Sequence, residues 1–339
     1  MVKEIGSDFP IKLHIFSKKR KNTPKNAILL ASGRDSLTYI LKAIKPKSYV
    51  LLPSYLCTSV LEPFKKLNIK YKFYKVDKNL NINLKDLGGK IKKSSAVLII
   101  NYFGFIQPEV SKIKELCDKN KIILIEDQVQ SFLTKSFFYG DYVFNSYRKF
   151  LPLPDGSFLI KPKDKKTKVN FGRINYSQLR LRAGIAKSMG LSKDRYYSLF
   201  KDAEDRLGEH PWPTKMSNIS KNVLSKLDLK KISRIRRRNY IFLEKNLKSK
   251  KINLLFKKIP DNVIPLGCPI VSKNRDKIRK ELIKYKIYPP VHWQLPKELN
   301  KNEFKDSWDL SKRILTIPID QRYNLEDMKR IIKILNKIV

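Results

Sequence analysis

Acidic side chains are scarce in this chain: 31 Asp and Glu stand against 73 Lys and Arg over 339 residues, a formal net charge of +42. Cysteine and histidine are scarcer still, with three of each. Cys57, Cys117 and Cys268 are too few and too scattered for a disulfide framework or a zinc site, which fits a reducing compartment. His14, His210 and His292 lie far apart, and none opens a metal-ligand motif, so no metal is expected. Long apolar runs are missing too. No window approaches the ~18 uninterrupted apolar residues of a spanning helix, so no membrane span is expected. The stretch MVKEIGSDFPIKLHIF carries charge and proline where a signal peptide has its apolar core, and the expected location is cytoplasmic.

Lysine is what the chain has in excess. A sequence this basic raises the question of a nucleic-acid or anionic-surface partner. Cations that bind a polyanion cluster on one face or in one tail, whereas here lysine is spread over almost every segment, alongside Ile and Asn. A genome-wide codon preference explains an even spread more simply. The densest group, RIRRR at 234–238, sits inside a helical pattern that has a face to solvate. The expectation is no nucleic-acid partner, with a binder of nucleic acid or an anionic surface as a rival reading motivated by charge alone.

With 339 residues, 42% of them hydrophobic, the chain can bury one large domain and a smaller one. Apolar runs alternate with helical patterns through the first half. Strands are predicted at 48–54, 69–76, 95–103 and 122–127, with helices at 59–68 and 109–121. Alternation at this pitch means βαβ units, a mostly parallel sheet covered on both faces, and right-handed connections. After the strand at 157–163 the pattern changes. Residues 165–215 read as a polar, partly helical insertion, and 222–247 as one long helix. The remainder, from VIPLGCPIV to the closing helix EDMKRIIKILNKIV, reads as a smaller C-terminal α/β domain. The predicted division is 1–240 and 241–339.

Three features carry chemistry. In LLASGRDSL (29–37) an apolar run ends in Ser-Gly and leads into a helix, which leaves backbone N–H groups free at the positive end of that helix. Such a turn suits a phosphate; Ser-Gly before a helix is also an ordinary N-cap. Asp127, in IILIEDQVQSF, is a carboxylate at the C-terminal end of a buried strand, where open α/β sheets place their ligands. It also reads as a cap on a following helix. Lys149, in GDYVFNSYRKFLPLPDGSFLI (140–160), follows a Ser and an aromatic and precedes a Pro-rich turn closing on Asp155-Gly156.

Together these features resemble the DegT/StrS-type sugar aminotransferases, pyridoxal phosphate (PLP) enzymes of fold type I. ASGRDSL is similar to that family's Ser-Gly-Thr-x-Ala-Leu phosphate turn, with Ser32 and Gly33 kept and Arg34 in place of Thr. VLLPSYLCTSV resembles Val-x-x-Pro-Ser-x-Thr-Phe, whose aromatic stacks on the cofactor ring. That position falls on Cys57, with Tyr55 close by. NYFGFIQPEV through IEDQVQS resembles the stretch from His-x-Tyr-Gly to Ile-Glu-Asp-x-x-Gln/His, with Asn101 and Tyr102 near the missing histidine. GDYVFNS resembles Gly-Asp-x-x-x-Phe-Ser, YPPVHWQLP resembles Tyr-Pro-x-Pro-x-His-x-Gln, and ILTIPIDQRYNLEDMKRII resembles Leu-Ser-Leu-Pro before an acidic-start helix. In the family the lysine follows that Ser by five residues. Here Lys149 follows Ser146 by three, while Asp155 and Gly156 keep the family's offsets from the lysine.

The resemblance implies an aspartate-aminotransferase-like large domain and a small C-terminal domain. It implies PLP as cofactor, with Lys149 as the Schiff-base lysine that also carries a proton between donor and cofactor. Arg148 beside it would depress the amine's pKa. Asp127 would face the pyridine nitrogen, Gln130 and Arg34 would contact the cofactor, and Ser32, Gly33 and Ser146 would hold its phosphate. Tyr288 and His292 are the substrate-side residues. The implied reaction moves an amino group from an amino acid such as glutamate to a keto group on a nucleotide-linked sugar, in surface polysaccharide or related biosynthesis. It implies a homodimer, with Asn218 in TKMSNISKNVLSKLD (214–228) reaching the partner's phosphate; the other reading of Asn218 is a cap on a helix beginning near Lys221. A PLP-fold protein that has lost turnover and keeps a binding or regulatory role is the second rival.

Overall fold

The computed structural model describes residues 3–11, 20–162, 169–172, 176–207 and 211–337. His14, His210 and parts of the 165–215 segment lie outside the described residues. The longest apolar runs become the middle of a sheet. A short strand β1 (Ile5–Gly6) precedes it, and the sheet is built from β2 (Ile28–Leu30), β3 (Val50–Pro53), β4 (Tyr71–Tyr74), β5 (Ala96–Ile100), β6 (Ile123–Asp127), β7 (Tyr142–Phe144) and β8 (Ser157–Ile160). Their order is β2-β8-β7-β6-β5-β3-β4. The pairs among β4, β3, β5, β6 and β7 are parallel, and β8 runs antiparallel to both β7 and β2. The sheet is mostly parallel, as the alternation predicts. Every residue of β5, AVLII, is buried, as a strand covered on both faces requires.

Helices α1 (Gly33–Ile44), α2 (Leu61–Lys66), α3 (Leu84–Ile91) and α4 (Val110–Lys119) fill the crossovers. In α4 the buried residues Val110, Ile113 and Cys117 fall on one stripe, the spacing of an amphipathic helix. The segment after β8 folds as the helical pair α5 (Tyr176–Ser188) and α6 (Lys193–Leu207), followed by α7 (Asn218–Lys226) and α8 (Leu229–Asn246). The single helix expected over 222–247 is therefore two. The break falls where the Asp228 side chain accepts the Lys231 N–H and caps a new helix, an option aspartate offers more readily than helix continuation.

The C-terminal part holds β9 (Asn253–Leu254), β10 (Cys268–Val271), α9 (Arg275–Lys284), β11 (Ile287–Tyr288), α10 (Lys305–Arg313), β12 (Ile314–Ile317) and α11 (Leu325–Lys337). A three-stranded antiparallel sheet runs β12-β10-β9, and β11 pairs with β1. Its own apolar core joins Ile270, Leu282, Leu315, Met328 and Ile331 to Tyr240 and Leu243 of α8. Further up α8, Ile232 packs with Val143, Tyr147 and Phe150, so one helix feeds two cores. The RIRRR group is largely absorbed into structure. Arg236 is 1% exposed, Arg237 donates to Val263 O at 2.7 Å, and Arg238 donates to Tyr323 O at 3.2 Å.

Candidate active site

The C-terminal edge of the parallel strands is where the predicted residues meet. A cavity of about 170 Å³ is lined there by Ser32, Gly33, Arg34, Cys57, Asp127, Gln130, Ser146 and Lys149, together with Arg148, Glu204 and Trp293. Each arrives for a local reason. Ser32 is the N-cap of α1, its Oγ accepting the Asp35 N–H at 3.1 Å. The phosphate-turn and N-cap readings of Ser32 are thus compatible: the hydroxyl caps while Ser32, Gly33 and Arg34 line the cavity at the start of a helix whose first amides have no intrahelical acceptor. Gly33 sits close against its neighbours, since a Cβ there would lie 3.2 Å from Val129 Cγ2 and 3.3 Å from Asn145 O.

Two adjacent carboxylates at the end of β6 point to opposite faces, as successive strand residues must, and their surroundings differ sharply. Glu126 accepts from Asn101 Nδ2, Gln128 Nε2, and the Tyr139 and Gly140 N–H groups. It is saturated within the fold. Asp127 is 4% exposed, and its carboxylate accepts only the Val129 N–H, at 2.8 Å, among the described residues. No helix follows it; residues 129–133 form turns, so the reading of Asp127 as a helix cap gives way to a cap on a turn. Burial pushes its carboxyl up to about 7, against the pull of that N–H and of the Lys149 charge.

Lys149 stands at the end of a single 3₁₀ turn, Tyr147–Lys149, opened by Ser146. Its N–H donates to Ser146 O at 3.3 Å. This turn absorbs the short spacing between Ser146 and Lys149 and still delivers the lysine to the cavity. Its amine makes no hydrogen bond or ion pair among the described residues. The residue is exposed to solvent through the cavity, while the protein packed around the amine replaces part of its hydration; that desolvation first, then the Arg148 charge, lower its pKa. Ser146 is 4% exposed, and its hydroxyl likewise makes no hydrogen bond among the described residues. Arg148 Nε is a buried donor without an acceptor.

Other predicted residues take different places. Gln130 Oε1 accepts the Phe103 N–H at 2.9 Å. Tyr55 is fully buried and does not line the cavity; its hydroxyl donates to His292 O, and its ring packs 5.6 Å from Trp293. Trp293 and Phe144 are aromatics that line the cavity, and Tyr55 packs behind Trp293. His292 bonds Thr316 Oγ1 at 2.8 Å, and burial together with the Lys149 charge pushes it down to about 3. It is a neutral neighbour of the lysine. Tyr288 lies off the cavity in β11, beneath Lys193 Nζ at 4.6 Å. Asn218 is exposed at the first position of α7, and the cap there is Ser217, which accepts the Ser220 N–H; the helix begins at Asn218 itself, not near Lys221. Ser217 and Ser220 are both engaged by Asp155.

Sequence reasoning passed over Glu204, Arg180 and Trp293. Trp293 sits inside a loop that was noticed, and the other two sit on helices with no motif around them. Among the described residues no group of His, Cys, Asp or Glu is placed to hold a metal ion, and no helix is long and apolar enough to cross a membrane.

Residues 19–136 match the model of the DegT/DnrJ/EryC1/StrS aminotransferase family. That stretch, about a third of the chain, is similar to this family. It contains Ser32, Gly33, Arg34, Tyr55, Cys57, Asp127 and Gln130 and ends short of Ser146 and Lys149. No curated protein matches the chain. Solved structures share the fold over nearly all of it. Helicobacter pylori PseC, an aminotransferase involved in pseudoaminic acid biosynthesis, is 16% identical with a TM-score of 0.73, covering 99% of each chain. A Streptococcus pneumoniae protein solved in its PLP-form is 13% identical with a TM-score of 0.70, covering 99% of this chain and 98% of that one. An aminotransferase of the same family from Brucella abortus is 17% identical with a TM-score of 0.63, covering 92% and 86%. The resemblance read from the motifs and the aminotransferase fold agree.

Proposed function

We propose that this chain is a PLP-dependent aminotransferase that passes an amino group from an amino acid of glutamate type to a keto group on a nucleotide-linked sugar. The observation that carries the reading is the convergence of Asp127, Lys149 and Ser146 on one cavity, each with bonding capacity that its protein neighbours do not use. The residues fit PLP. Asp127 is a buried carboxylate short of donors, matched to a protonated ring nitrogen. Ser146, Arg148, Arg34 and the amides opening α1 match a phosphate. Bound there, PLP supplies an electron sink for the carbanion formed at the donor's Cα.

The remaining work belongs to the chain's own groups. Lys149 would hold PLP through its amine, and once the donor's amine had displaced it, the freed amine would take the proton from the donor's Cα and return it on the cofactor side. A neutral amine is needed for this, and burial with Arg148 favours one. Asp127 would be ionised opposite a cation, and would so keep a facing ring nitrogen protonated. Trp293 and Cys57 line the cavity where the ring would lie, and neutral His292 would sit on the substrate side. In this reading the enzyme works in the cytoplasm and serves surface polysaccharide or related biosynthesis. The test is a panel of nucleotide-linked keto-sugars incubated with PLP, glutamate and the purified chain, read by mass for the amino-sugar. Amination of one of them supports the reading. Failure of every sugar, with no conversion of glutamate to its oxo acid, would sink it.

The same reading includes a homodimer with composite sites, in which exposed Asn218 reaches the partner's phosphate group. Mixing a Lys149→Ala chain with an Asn218→Ala chain puts both defects into one site of the heterodimer and leaves the other intact. Activity is expected to reappear on mixing. No recovery, with heterodimers confirmed by sedimentation, leaves Asn218 as a surface residue of α7.

A further inference from the structure

Three arginines converge on one carboxylate at the outer side of the cavity. Arg34 opens α1, Arg148 precedes the lysine, and Arg180 comes from α5. All three contact Glu204 of α6: Arg34 through NH2, Arg148 at 3.2 Å and Arg180 at 3.3 Å. The placement is built rather than incidental. Phe200, Ala203 and Leu207 form the buried face of α6, and Glu204 lies one turn beyond Phe200 on the cavity side of that face. Arg180 is itself 7% exposed, with its guanidinium 5.1 Å from the Phe200 ring. Arg34 and Arg180 keep second carboxylates, Glu62 at 2.7 Å and Asp8 at 2.8 Å. Among the described residues Arg148 has no other carboxylate, and its buried Nε lacks an acceptor.

Carboxylate and phosphate compete for the same guanidinium geometry. Glu204 shares the cavity wall with Ser32, Gly33 and Ser146, the groups assigned above to a phosphate. A phosphate dianion beside them would meet Glu204 as a like charge at contact range in a site that screens poorly. We infer that Glu204 is an internal stand-in for the cofactor's phosphate: it holds Arg34 and Arg148 in the cofactor-free chain and yields them when phosphate arrives. Loading the cofactor thereby releases the last turn of α6, which couples the α5–α6 pair to occupancy of the site. The inference rests on the PLP reading.

The test compares cofactor-free full-length chain with Glu204→Gln. PLP binding is titrated by its visible absorption, and inorganic phosphate by thermal shift. A stand-in anion opposes both ligands, so Glu204→Gln is expected to bind PLP roughly tenfold or more tightly and to gain more stability from inorganic phosphate. Asp202→Asn, an exposed acid on the same helix, is expected to leave both unchanged, which separates the local contact from net charge. Equal or weaker PLP binding by Glu204→Gln overturns the stand-in role and makes Glu204 a strut that orients the arginines. If neither protein takes up PLP, the reading of the site falls and the stand-in role with it. Should Glu204→Gln not fold, hydrogen exchange on the wild-type chain decides. Exchange in residues 201–207 is expected to rise on PLP binding while that at the start of α1 falls, and slower exchange in 201–207 overturns the inference.

Discussion

Lys149→Ala is expected to lose turnover by on the order of 10⁴-fold, because it removes both the covalent attachment and the amine assigned to carry the proton. The variant should still take up PLP through the phosphate contacts, since Ser146, Arg148 and the α1 amides are untouched. In the wild-type chain, borohydride treatment should fix the cofactor permanently, and peptide mapping should find its mass on the fragment containing Lys149. The chain is so rich in lysine that this mapping is a demanding test. Cofactor mass on any other lysine would show that the short Ser146–Lys149 turn had displaced the role.

The second large effect belongs to Asp127. Asp127→Asn keeps size and shape but cannot hold a ring nitrogen protonated, so turnover should fall by about 10²-fold or more with the fold intact. A variant with near-normal turnover would reduce Asp127 to a turn cap. The same substitution has a signature in the cofactor-free chain. The Asp127 carboxyl is pushed from 3.8 up to about 7. Below about pH 4 it is protonated in both folded and unfolded chains. Between there and 7 the folded chain keeps a proton that the unfolded chain has lost, so this group's contribution to stability declines as pH rises through that window and is flat above it. Asn has no such decline, so the stability of Asp127→Asn relative to wild type should climb from pH 4 to 7. Asp35, pushed up to about 6 by burial, slopes the same way, and His292 slopes the opposite way from 6.5 down toward 3. Both are common to the two proteins, and the difference cancels them. Parallel melting profiles from pH 4 to 8 would contradict the burial of an ionisable Asp127.

Much of the large sheet was legible because its strands are apolar on both faces: AVLII and the run before Asp127 stand out without any partner in view. Ser32, Gly33, Arg34, Cys57, Asp127, Gln130, Ser146 and Lys149 were legible as ordered motifs, and the folded chain gathers all eight around one cavity. Tyr55 was placed one layer too close, since its alternative, Trp293, comes from a loop more than two hundred residues away. The helix α10 was missed because its buried side chains include Ser307 and Ser311, so no apolar stripe marks it. Glu204 had no local signal at all. It is one acid among 31, and only the docking of α6 against the cavity gives it three arginines. Contacts between distant segments are written in packing, and packing is what a linear pattern conveys least.

The carbonyl that follows the lysine, Phe150 O, receives Gln321 Nε2 at 2.7 Å and Arg236 NH2 at 3.2 Å. Arg236 in turn donates to Gln321 Oε1 at 3.0 Å and to Leu266 O at 2.8 Å. Residues 266 and 321 belong to the C-terminal part, so its attachment to the large sheet is stapled one residue from Lys149. Enzymes of two parts commonly rock about a few fixed points as substrates enter and leave. Here the fulcrum would stand beside Lys149, and a fulcrum is where a lever travels least.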